Sequence, residues 1–321
     1  MNRRSFLQET LYLGVAAACA RETAVQGTID PTLERYRRLQ TAALKSRKLD
    51  YTERDVDVAR LRLRAHVIET GRGEPLLLIH GGNGVGAHWV PLMTRLGGWR
   101  MIVPDRPGCG LTDGFLYDGV DMRAHGAAFV EGVLDALKIE AASIIGNSMG
   151  GYFALCFALA HPDRVRKLVL AGGPAGSARA GSGAPPADAV EARVKSSRQP
   201  GRPGYAGVVA DPSRIPDDLL ELFDARLAIP GDEESWRSIL RNTHPNGTTF
   251  SLHSELEGLR TPTLLIWGEQ DRIDPPIPAA TAIAKRLPNA RLELLPDAGH
   301  APWFDKLDEC ATLVTEFLRQ A

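Results

Sequence analysis

The sequence has only four cysteines, and none is spaced with another cysteine or a histidine as zinc sites and dense disulfide frameworks require. Aromatic residues make up only 6% of the chain, and 38 lysines and arginines are balanced by 39 acidic residues. The chain therefore lacks the basic field and the stacking surface of a nucleic-acid-binding protein. It also lacks any apolar run of the roughly 18 residues that cross a membrane. We expect neither a metal nor a nucleic acid as a partner.

What the sequence does contain is the composition of a folded globular protein. Of its 321 residues, 44% are hydrophobic and 24% are charged, which is enough apolar material for a large core. Its 32 glycines and 22 prolines predict many sharp turns. The length fits either two domains or one α/β domain with an insertion.

The first 30 residues have the pattern of an export signal. Arg3 and Arg4 precede a short apolar stretch over residues 11–20, and the chain becomes polar at residues 21–23. This order is typical of a secretory signal, and paired arginines followed by Phe-Leu resemble a bacterial twin-arginine signal. Cys19, which follows three alanines, is a candidate lipid anchor. We predict an exported protein, periplasmic or extracellular; the alternative is a cytoplasmic protein whose first residues form a charged amphipathic start.

Strand-like and helix-like segments alternate through the rest of the chain. Short continuous apolar runs are typical of strands buried on both faces. These runs lie at residues 76–79, 101–103, 143–145, 168–170 and 264–267. Helical stretches such as residues 122–137 and 149–160 separate them, and two alternating segments between residues 56 and 67 predict a hairpin ahead of them. The pattern predicts an α/β fold with a parallel sheet and helices on both faces.

The alternation is interrupted once, after residue 172. The segment up to residue 258 begins with many Gly, Pro, Ala and Ser residues and contains no buried-strand run. Its later apolar residues recur at helical spacing, and the segment is too long for a simple loop. We therefore predict a helical cap over residues 173–258, inserted into one α/β domain made of residues 31–172 and 259–321.

One motif puts a serine at a sharp turn between a strand and a helix. The apolar run at residues 143–145 leads directly into Gly146-Asn147-Ser148-Met149-Gly150, a Gly-x-Ser-x-Gly sequence. This spacing is the nucleophile elbow, in which Ser148 occupies a strained turn and the flanking glycines avoid steric clashes. The helix that follows directs its positive end at the site. Ser148 is thus the candidate nucleophile.

A serine nucleophile needs a base, and the base needs an acidic residue to orient it. With this elbow, the acid and then the histidine are expected to follow the serine along the chain. Asp271 comes directly after one strand-like run, and His300 follows the next. Asp274 is the alternative acid, but it precedes two prolines and suits a helix cap. We predict the triad Ser148, Asp271 and His300.

Two backbone N–H groups must bind the negative oxygen that such a reaction creates. Met149, the residue after the serine, supplies one of them. The second comes from the glycine-rich loop His80-Gly81-Gly82-Asn83-Gly84, in which we predict Gly82 as the donor and Asn83 as the alternative. His80, at the end of the preceding strand, is expected to hold this loop by hydrogen bonding.

Together these motifs resemble those of the α/β-hydrolase superfamily over about residues 50 to 320. The motifs are His80-Gly81-Gly82, residues 105–110 (Asp-Arg-Pro-Gly-Cys-Gly), residues 146–151, residues 268–271 and Gly299-His300. The resemblance implies an α/β-hydrolase fold with an eight-stranded, mostly parallel sheet, a catalytic domain and an inserted helical cap. It also implies a serine hydrolase without cofactor or metal, which acts through an acyl-enzyme on a small molecule with a hydrolysable acyl group.

The resemblance extends to more than one substrate class. The elbow is similar to that of carbon–carbon hydrolases of vinylogous diketo acids, although residues 83–86 lack the proline usual there. Residues 298–303 equally resemble carboxylesterases and lactonases. Because export favours esters met outside the cytoplasm, we expect a carboxylic ester or lactone as the substrate. Carbon–carbon hydrolysis and a non-catalytic ligand-binding protein are the alternatives. Phe223 and Trp236 in the cap, and Trp303 after the histidine, are candidate substrate contacts.

Overall fold

The computed structural model describes residues 30–174, 186–242, 252, 255–273 and 276–320. The predicted export signal, with Arg3, Arg4 and Cys19, lies outside the described residues, and so does Asp274. From Thr32 onward the chain forms one compact unit. Among the helices that are described, none is long and apolar enough to cross a membrane.

Eight strands form one sheet, as the sequence predicts. They are β1 (Tyr51–Val58), β2 (Leu63–Thr70), β3 (Glu74–Ile79), β4 (Trp99–Pro104), β5 (Ala142–Gly146), β6 (Val165–Ala171), β7 (Thr263–Gly268) and β8 (Ala290–Leu295). Their order across the sheet is β1-β2-β4-β3-β5-β6-β7-β8. The pairs β1–β2 and β2–β4 are antiparallel, and the other pairs are parallel. The prediction of an eight-stranded, mostly parallel sheet is confirmed.

The described helices lie before, between and after these strands. They are α1 (Pro31–Ser46), α2 (Val90–Met93), α3 (Met122–Ala136), α4 (Met149–Ala160), α5 (Ala187–Ser197), α6 (Asp217–Arg226), α7 (Asp232–Asn242), α8 (Pro276–Arg286), α9 (Pro302–Asp305) and α10 (Leu307–Arg319). The two helices that the sequence predicts most strongly, near residues 122–137 and 149–160, are α3 and α4. At the start of α3, the Asp121 side chain accepts the N–H groups of Arg123 and Ala124 and so caps the helix.

The side chains of β3 explain why its sequence is apolar without interruption. Leu77 and Ile79 belong to the core under α3, α4 and α8, whereas Leu76 and Leu78 belong to the core under α1, α2 and α10. Successive side chains of a strand point to opposite faces of the sheet. Helices therefore cover both faces, and every residue of the strand end must be apolar.

Three helices, α5, α6 and α7, lie between β6 and β7, where the cap is predicted. The described residues between these two strands form helices and turns and no strand. α6 buries Leu219, Leu222 and Phe223 in the same core as α1 and α2. At the start of α6, Asp218 pairs with Arg47 at 2.6 Å. The helical content agrees with a cap, and its limits at residues 173 and 258 stay a prediction.

Candidate active site

Ser148 occupies a strained turn between β5 and α4. Its backbone angles are φ +50° and ψ −117°, in a region that residues with side chains rarely adopt. α4 begins at the next residue, Met149, so the strand and the helix are joined by Asn147 and Ser148 alone. The Ser148 side chain is half-buried, whereas the residues around it are buried. This is the geometry that the elbow motif predicts for an accessible serine nucleophile.

The glycines of the motif are required by close backbone contacts. A Cβ atom on Gly146 would lie 2.6 Å from the carbonyl oxygen of Gly150. A Cβ atom on Gly150 would lie 2.1 Å from the carbonyl oxygen of Ile79, the last residue of β3. Neither position can hold a side chain without moving the backbone. The start of α4 therefore packs directly on the end of β3, which brings Ser148 beside the loop that follows β3.

His300 and Asp271 are in direct contact. His300 Nδ1 lies 2.8 Å from Asp271 Oδ2, and the two side chains are 6% and 0% exposed. Because an ionised carboxylate only accepts hydrogen bonds, Nδ1 carries a hydrogen and Nε2 is the nitrogen that can take up a proton. The other carboxylate oxygen of Asp271 accepts the N–H of Ile273 at 2.8 Å. The structure thus brings together the acid and the base that the sequence predicts.

Loops at the carboxyl ends of three parallel strands meet around Ser148. Asn147 donates from Nδ2 to the backbone oxygen of His300 at 3.0 Å and to that of Ala171 at 2.6 Å. A Cβ atom on Gly81 would lie 3.3 Å from the Cβ of Ser148. The predicted nucleophile, the predicted base and the predicted oxyanion-hole loop therefore lie at the same end of the sheet. In the part of the chain that the structure describes, no three His, Cys, Asp or Glu side chains are grouped as metal ligands.

The predicted oxyanion-hole donors lie on both sides of the elbow turn. Met149 is the first residue of α4, so its N–H has no acceptor within the helix. A Cβ atom on Gly82 would lie 2.7 Å from the indole ring of Trp236, so α7 packs directly on this loop. The N–H roles of Met149 and Gly82 stay predictions. Met149 directly follows Ser148, and Gly82 directly follows Gly81, which lies beside Ser148.

The Asn83 side chain joins the oxyanion-hole loop to the cap. It donates to the backbone oxygen of Ser197, at the end of α5, at 2.6 Å. Its Oδ1 accepts from Arg226 Nη2, at the end of α6, at 3.0 Å. Trp236 Nε1 donates to Ser197 Oγ at 2.9 Å, so the same corner of the cap also holds the ring over Gly82. Asn83 therefore has a docking role that its place in the motif does not reveal.

His80 holds the loop by hydrogen bonding, as predicted. Its Nδ1 lies 2.9 Å from the carbonyl oxygen of Gly81, and its Nε2 accepts the backbone N–H of Arg106 at 2.8 Å. Burial and the neighbouring Arg106 guanidinium lower the pKa of His80 well below its usual value. The ring is neutral, with its hydrogen on Nδ1, and serves the loop rather than acting as a second base.

A buried cluster of charge lies against the oxyanion-hole loop, and the sequence gives no sign of it. Arg198 and Arg226 both bind Asp232 Oδ2, Arg226 at 2.7 Å, and the three side chains are 2–5% exposed. The next acidic neighbour of Arg198 is Glu233, which lies 3.6 Å away and is 54% exposed, so solvent screens it. Two guanidinium groups thus share one buried carboxylate. Charged residues at helical spacing usually face solvent, so no pattern would have identified this cluster.

The three candidate substrate contacts differ in their surroundings. Phe223 is 1% exposed and packs edge-on against His88 at 4.2 Å between ring centres. Trp303 is 2% exposed, stacks on Trp89 at 4.2 Å and donates from Nε1 to the His88 backbone oxygen. Only Trp236 is half-buried, over Gly82. The contacts of Phe223 and Trp303 are those of core residues, and a role in substrate binding stays a prediction for all three.

Several known hydrolases are similar to this chain in sequence or structure. The chain is 33% identical over 267 residues to the 2-hydroxymuconate semialdehyde hydrolase of Pseudomonas putida, an alignment that covers 80% of this chain and 92% of that protein. A 2-hydroxy-6-oxo-6-phenylhexa-2,4-dienoate hydrolase from Rhodococcus has a similar fold, with a TM-score of 0.73, 21% identity and coverage of 85% of this chain and 100% of that one. A carboxylesterase from Bacillus subtilis gives a TM-score of 0.70 at 21% identity, covering 90% and 98% of the two chains.

These likenesses agree with the fold and with the order of the motifs along the chain. The Alpha/beta hydrolase family matches residues 76–313, which is more than half of the sequence. That range contains the elbow, the loop after β3 and both members of the Asp271–His300 pair. The chain belongs to the α/β-hydrolase family.

Proposed function

We propose that this chain is a serine hydrolase for an anionic small molecule, and that it cleaves a carbon–carbon bond in a vinylogous diketo acid. Ser148 is the nucleophile, His300 the base and Asp271 the residue that orients the base. The 33% identity to a 2-hydroxymuconate semialdehyde hydrolase supports this substrate class over the ester that the sequence alone favours.

The cluster of Arg198, Arg226 and Asp232 carries the proposal of an anionic substrate. With two guanidinium groups on one carboxylate, one positive charge is left without a buried acidic partner among the residues that the structure describes. Removing charges from water costs several kcal/mol per ion, so an uncompensated buried charge is expensive unless a ligand offsets it. Arg226 reaches the side chain of Asn83, the residue after the predicted oxyanion donor Gly82. A substrate carboxylate near this cluster would hold its reacting carbonyl close to Ser148.

The reaction follows from the Asp271–His300 pair and the elbow. Ser148 Oγ attacks the ketone carbon while His300 Nε2 takes the serine proton, and the N–H groups of Met149 and Gly82 bind the resulting oxyanion. When the adduct collapses, the bond to the neighbouring carbon breaks. This step requires the 2-oxo tautomer of the substrate, in which the carbon next to the ketone is saturated. The electron pair moves from that carbon into the conjugated 2-oxo acid as a dienolate, which takes the proton from His300. Water, deprotonated by His300, then hydrolyses the acyl-enzyme.

Hydrolysis of a carboxylic ester or lactone is the second candidate. The same residues serve it, with the alkoxide rather than an enolate as the leaving group. The loop Asn83-Gly84-Val85-Gly86 favours it, because carbon–carbon hydrolases usually have a proline after His-Gly-Gly. A non-catalytic ligand-binding role is supported less well, since the strained backbone of Ser148 is a cost that persists where it serves a reaction.

Turnover of matched substrates tests the proposal. We expect 2-hydroxy-6-oxo-6-phenylhexa-2,4-dienoate, followed by loss of its absorbance, to give a higher kcat/KM than p-nitrophenyl acetate or butyrate. The opposite ranking would support the ester candidate, and no turnover of either would support the ligand-binding role. Ser148→Ala should lower kcat by on the order of 10⁵-fold with a folded protein, as for nucleophiles of serine hydrolases in general.

A substitution in the buried arginine cluster tests whether the substrate is an anion. Arg226→Gln should lower kcat/KM for the dienoate about 30-fold more than for p-nitrophenyl acetate, because only the acid loses a charge-assisted contact. Arg241→Gln is the matched control, since Arg241 also pairs with two acidic groups, Asp118 and Glu234, but is 39% exposed. Equal losses on both substrates would argue against an anionic substrate.

We further propose that residues 1–30 direct export, with Cys19 as a lipid anchor if the signal is cleaved before it. The proposal rests on the paired arginines and the apolar stretch that follows them. A reporter fused after residue 30 should leave the cytoplasm, and Arg3→Lys with Arg4→Lys should retain it there. Export that is indifferent to both substitutions would exclude the twin-arginine route.

A further inference from the structure

Arg106 is a completely buried guanidinium that binds backbone carbonyls instead of a carboxylate. It lies in the loop after β4 and is 0% exposed. Its Nε donates to the carbonyl oxygen of His80 at 3.0 Å, and its Nη2 donates to those of Gly81 at 2.8 Å and Gly82 at 2.6 Å. Three consecutive carbonyl groups of the oxyanion-hole loop thus converge on one side chain.

The remaining surroundings of Arg106 contain no acidic partner that would explain its burial. Within the described residues its guanidinium makes no ion pair, and its Nη1 is buried without a hydrogen-bond partner. The guanidinium carbon lies 5.5 Å from the centre of the Phe153 ring, on α4. A buried, unpaired arginine is costly, so the three carbonyl contacts need a reason beyond stability.

Peptide geometry supplies that reason. In a planar trans peptide the N–H points away from the carbonyl of the same unit. When the carbonyl groups of Gly81 and Gly82 point at Arg106, the N–H groups of Gly82 and Asn83 must point to the opposite side of the loop. Gly81 lies beside Ser148: a Cβ atom placed on Gly81 would be 3.3 Å from the Cβ of Ser148. The loop is therefore oriented with its carbonyl groups toward the guanidinium and with the N–H groups of Gly82 and Asn83 toward the other side, and its residue Gly81 lies beside Ser148.

We propose that Arg106 is a positioning residue that sets the oxyanion hole by holding the carbonyl groups of His80, Gly81 and Gly82. The inference rests on the proposed function, because it takes Ser148 as the nucleophile. It assigns a role to the Asp-Arg-Pro-Gly segment at residues 105–108 that the catalytic mechanism leaves without one. It also gives Gly82 and Asn83 a shared orientation, so that the choice between them as donors depends on the same side chain.

His80 adds a second attachment to the same loop. Its Nε2 accepts the backbone N–H of Arg106, and its Nδ1 bonds the Gly81 carbonyl that Arg106 also binds. Two donors on one carbonyl oxygen leave that peptide unit little freedom to rotate. Because burial lowers the pKa of His80 well below its usual value, the ring stays neutral near neutral pH and keeps this arrangement.

The guanidinium also acts on the oxyanion through charge. A positive charge in a buried site of low dielectric favours a negative oxygen much more than the same charge in water. The contacts with Arg106 polarise the peptide units whose N–H groups bind the oxyanion, and hydrogen bonds in such a chain strengthen one another. Lysine at this position would keep the charge but not the planar fork that spans several carbonyl oxygens.

The experiment measures how fast Ser148 reacts with a fluorophosphonate probe, whose reaction builds negative charge on the phosphoryl oxygen. We expect Arg106→Gln to lower the second-order rate of labelling about 100-fold, a loss typical of a damaged oxyanion hole. Arg106→Lys should lower it about 10-fold, because charge remains while the fork is lost. With any substrate that the wild type turns over, kcat should fall while KM changes little.

The controls separate this inference from protein folding and from the proposed function. Arg100→Gln is the matched variant, since Arg100 lies on β4 but is half-exposed and pairs with Glu69; its labelling rate should stay close to that of the wild type. If Arg106→Gln does not fold, Arg106→Lys carries the test. If the wild type is labelled and both Arg106 variants are labelled as fast as the wild type, the inference is overturned. Absence of labelling in the wild type would instead overturn Ser148 as the nucleophile.

Discussion

On the oxyanion-hole side of the candidate site, buried guanidinium groups donate to backbone carbonyls; on the histidine side, buried carboxylates accept from backbone N–H groups. Arg106 binds three carbonyl oxygens of the loop after β3. Asp305, whose side chain is 0% exposed, accepts the N–H of Gly299 at 2.9 Å, that of Ala210 at 2.9 Å and that of Asp211 at 3.1 Å. Each side of the site is therefore held by a buried charged side chain that binds three backbone groups. The buried Asp105, next to Arg106, adds a carboxylate to the oxyanion side, where it accepts the N–H of Gly86 at 2.6 Å.

The two signs match the charges that acyl transfer creates. The transition state carries negative charge on the carbonyl oxygen and positive charge on the imidazole that has taken the serine proton. Arginine on the oxyanion side and aspartate on the histidine side oppose these charges in the order required. Under the proposed mechanism, the residues that hold the loops would also set the electrostatic field at the reacting atoms.

Replacing the acid on the histidine side is the strongest test of this comparison. Asp271→Asn should lower kcat roughly 10³- to 10⁴-fold, because an amide favours the wrong tautomer of His300 and opposes the imidazolium less well. The protein should remain folded, since the two side chains differ little in size. Steady-state kinetics measures the loss, and thermal unfolding checks the fold.

The control for Asp271→Asn is Asp297→Asn. Asp297 lies in the same region, its side chain is 66% exposed, and its positive φ of 54° suits asparagine. Activity close to that of the wild type is expected. If Asp297→Asn were as damaging as Asp271→Asn, the loss would come from the region as a whole rather than from the contact with His300.

Asp305 tests whether the carboxylate holds the histidine loop as Arg106 holds the other loop. Asp305→Asn should lower the free energy of unfolding by about 3 kcal/mol, because an amide group faces backbone donors with its own NH₂. kcat should fall as well, since Gly299 precedes His300. Asp308→Asn is the surface control: Asp308 is 81% exposed, and its pair with Arg95 is worth about 0.5 kcal/mol. Equal stability losses in urea unfolding would contradict the role of Asp305.

The sequence predicts those parts of this site that depend on local pattern. The first two strands follow from alternating apolar residues, the later strands follow from apolar runs, and the elbow follows from glycine spacing around Ser148. Asp271 and His300 could be chosen because each directly follows a strand of a parallel sheet, and the carboxyl ends of such strands lie together. In these cases a short stretch of residues is enough to fix both the element and the place of the functional side chain.

The buried charges could not be predicted in this way. Arg106 and Gly82 are 24 residues apart, and Asn83 and Ser197 are 114 apart, so no local pattern connects them. Arginine side chains are usually exposed. Arg106, Arg198 and Arg226 are buried because the folded chain packs loops and helices from distant parts of the sequence around them. Charge pairing across the cap is a tertiary property, so the sequence offered no ground for proposing an anionic substrate.

The stability of the protein at acid pH gives a smaller test, which concerns His125 on the same side as Arg106. His125 on α3 is 5% exposed, and its Nε2 has no hydrogen-bond partner among the described residues. Burial, with a smaller contribution from Arg106, lowers the pKa of His125 from 6.5 to about 3. Between pH 3 and pH 6.5, His125 is therefore protonated in the unfolded chain and neutral in the folded protein. Stability from this group is complete above the unfolded pKa and is lost as the pH falls toward 3.

His125→Phe should remove this sensitivity, because the ring lies among Phe115, Tyr117 and Phe153 and an apolar ring suits that environment. Between pH 7 and pH 5 one such histidine costs the wild type about 2 kcal/mol of unfolding free energy. Urea unfolding of the variant should show a decrease smaller by that amount. If both proteins lost the same stability, His125 would be protonated in the folded protein. The Arg106 side of the site would then accept a second positive charge, which would contradict the arrangement described above.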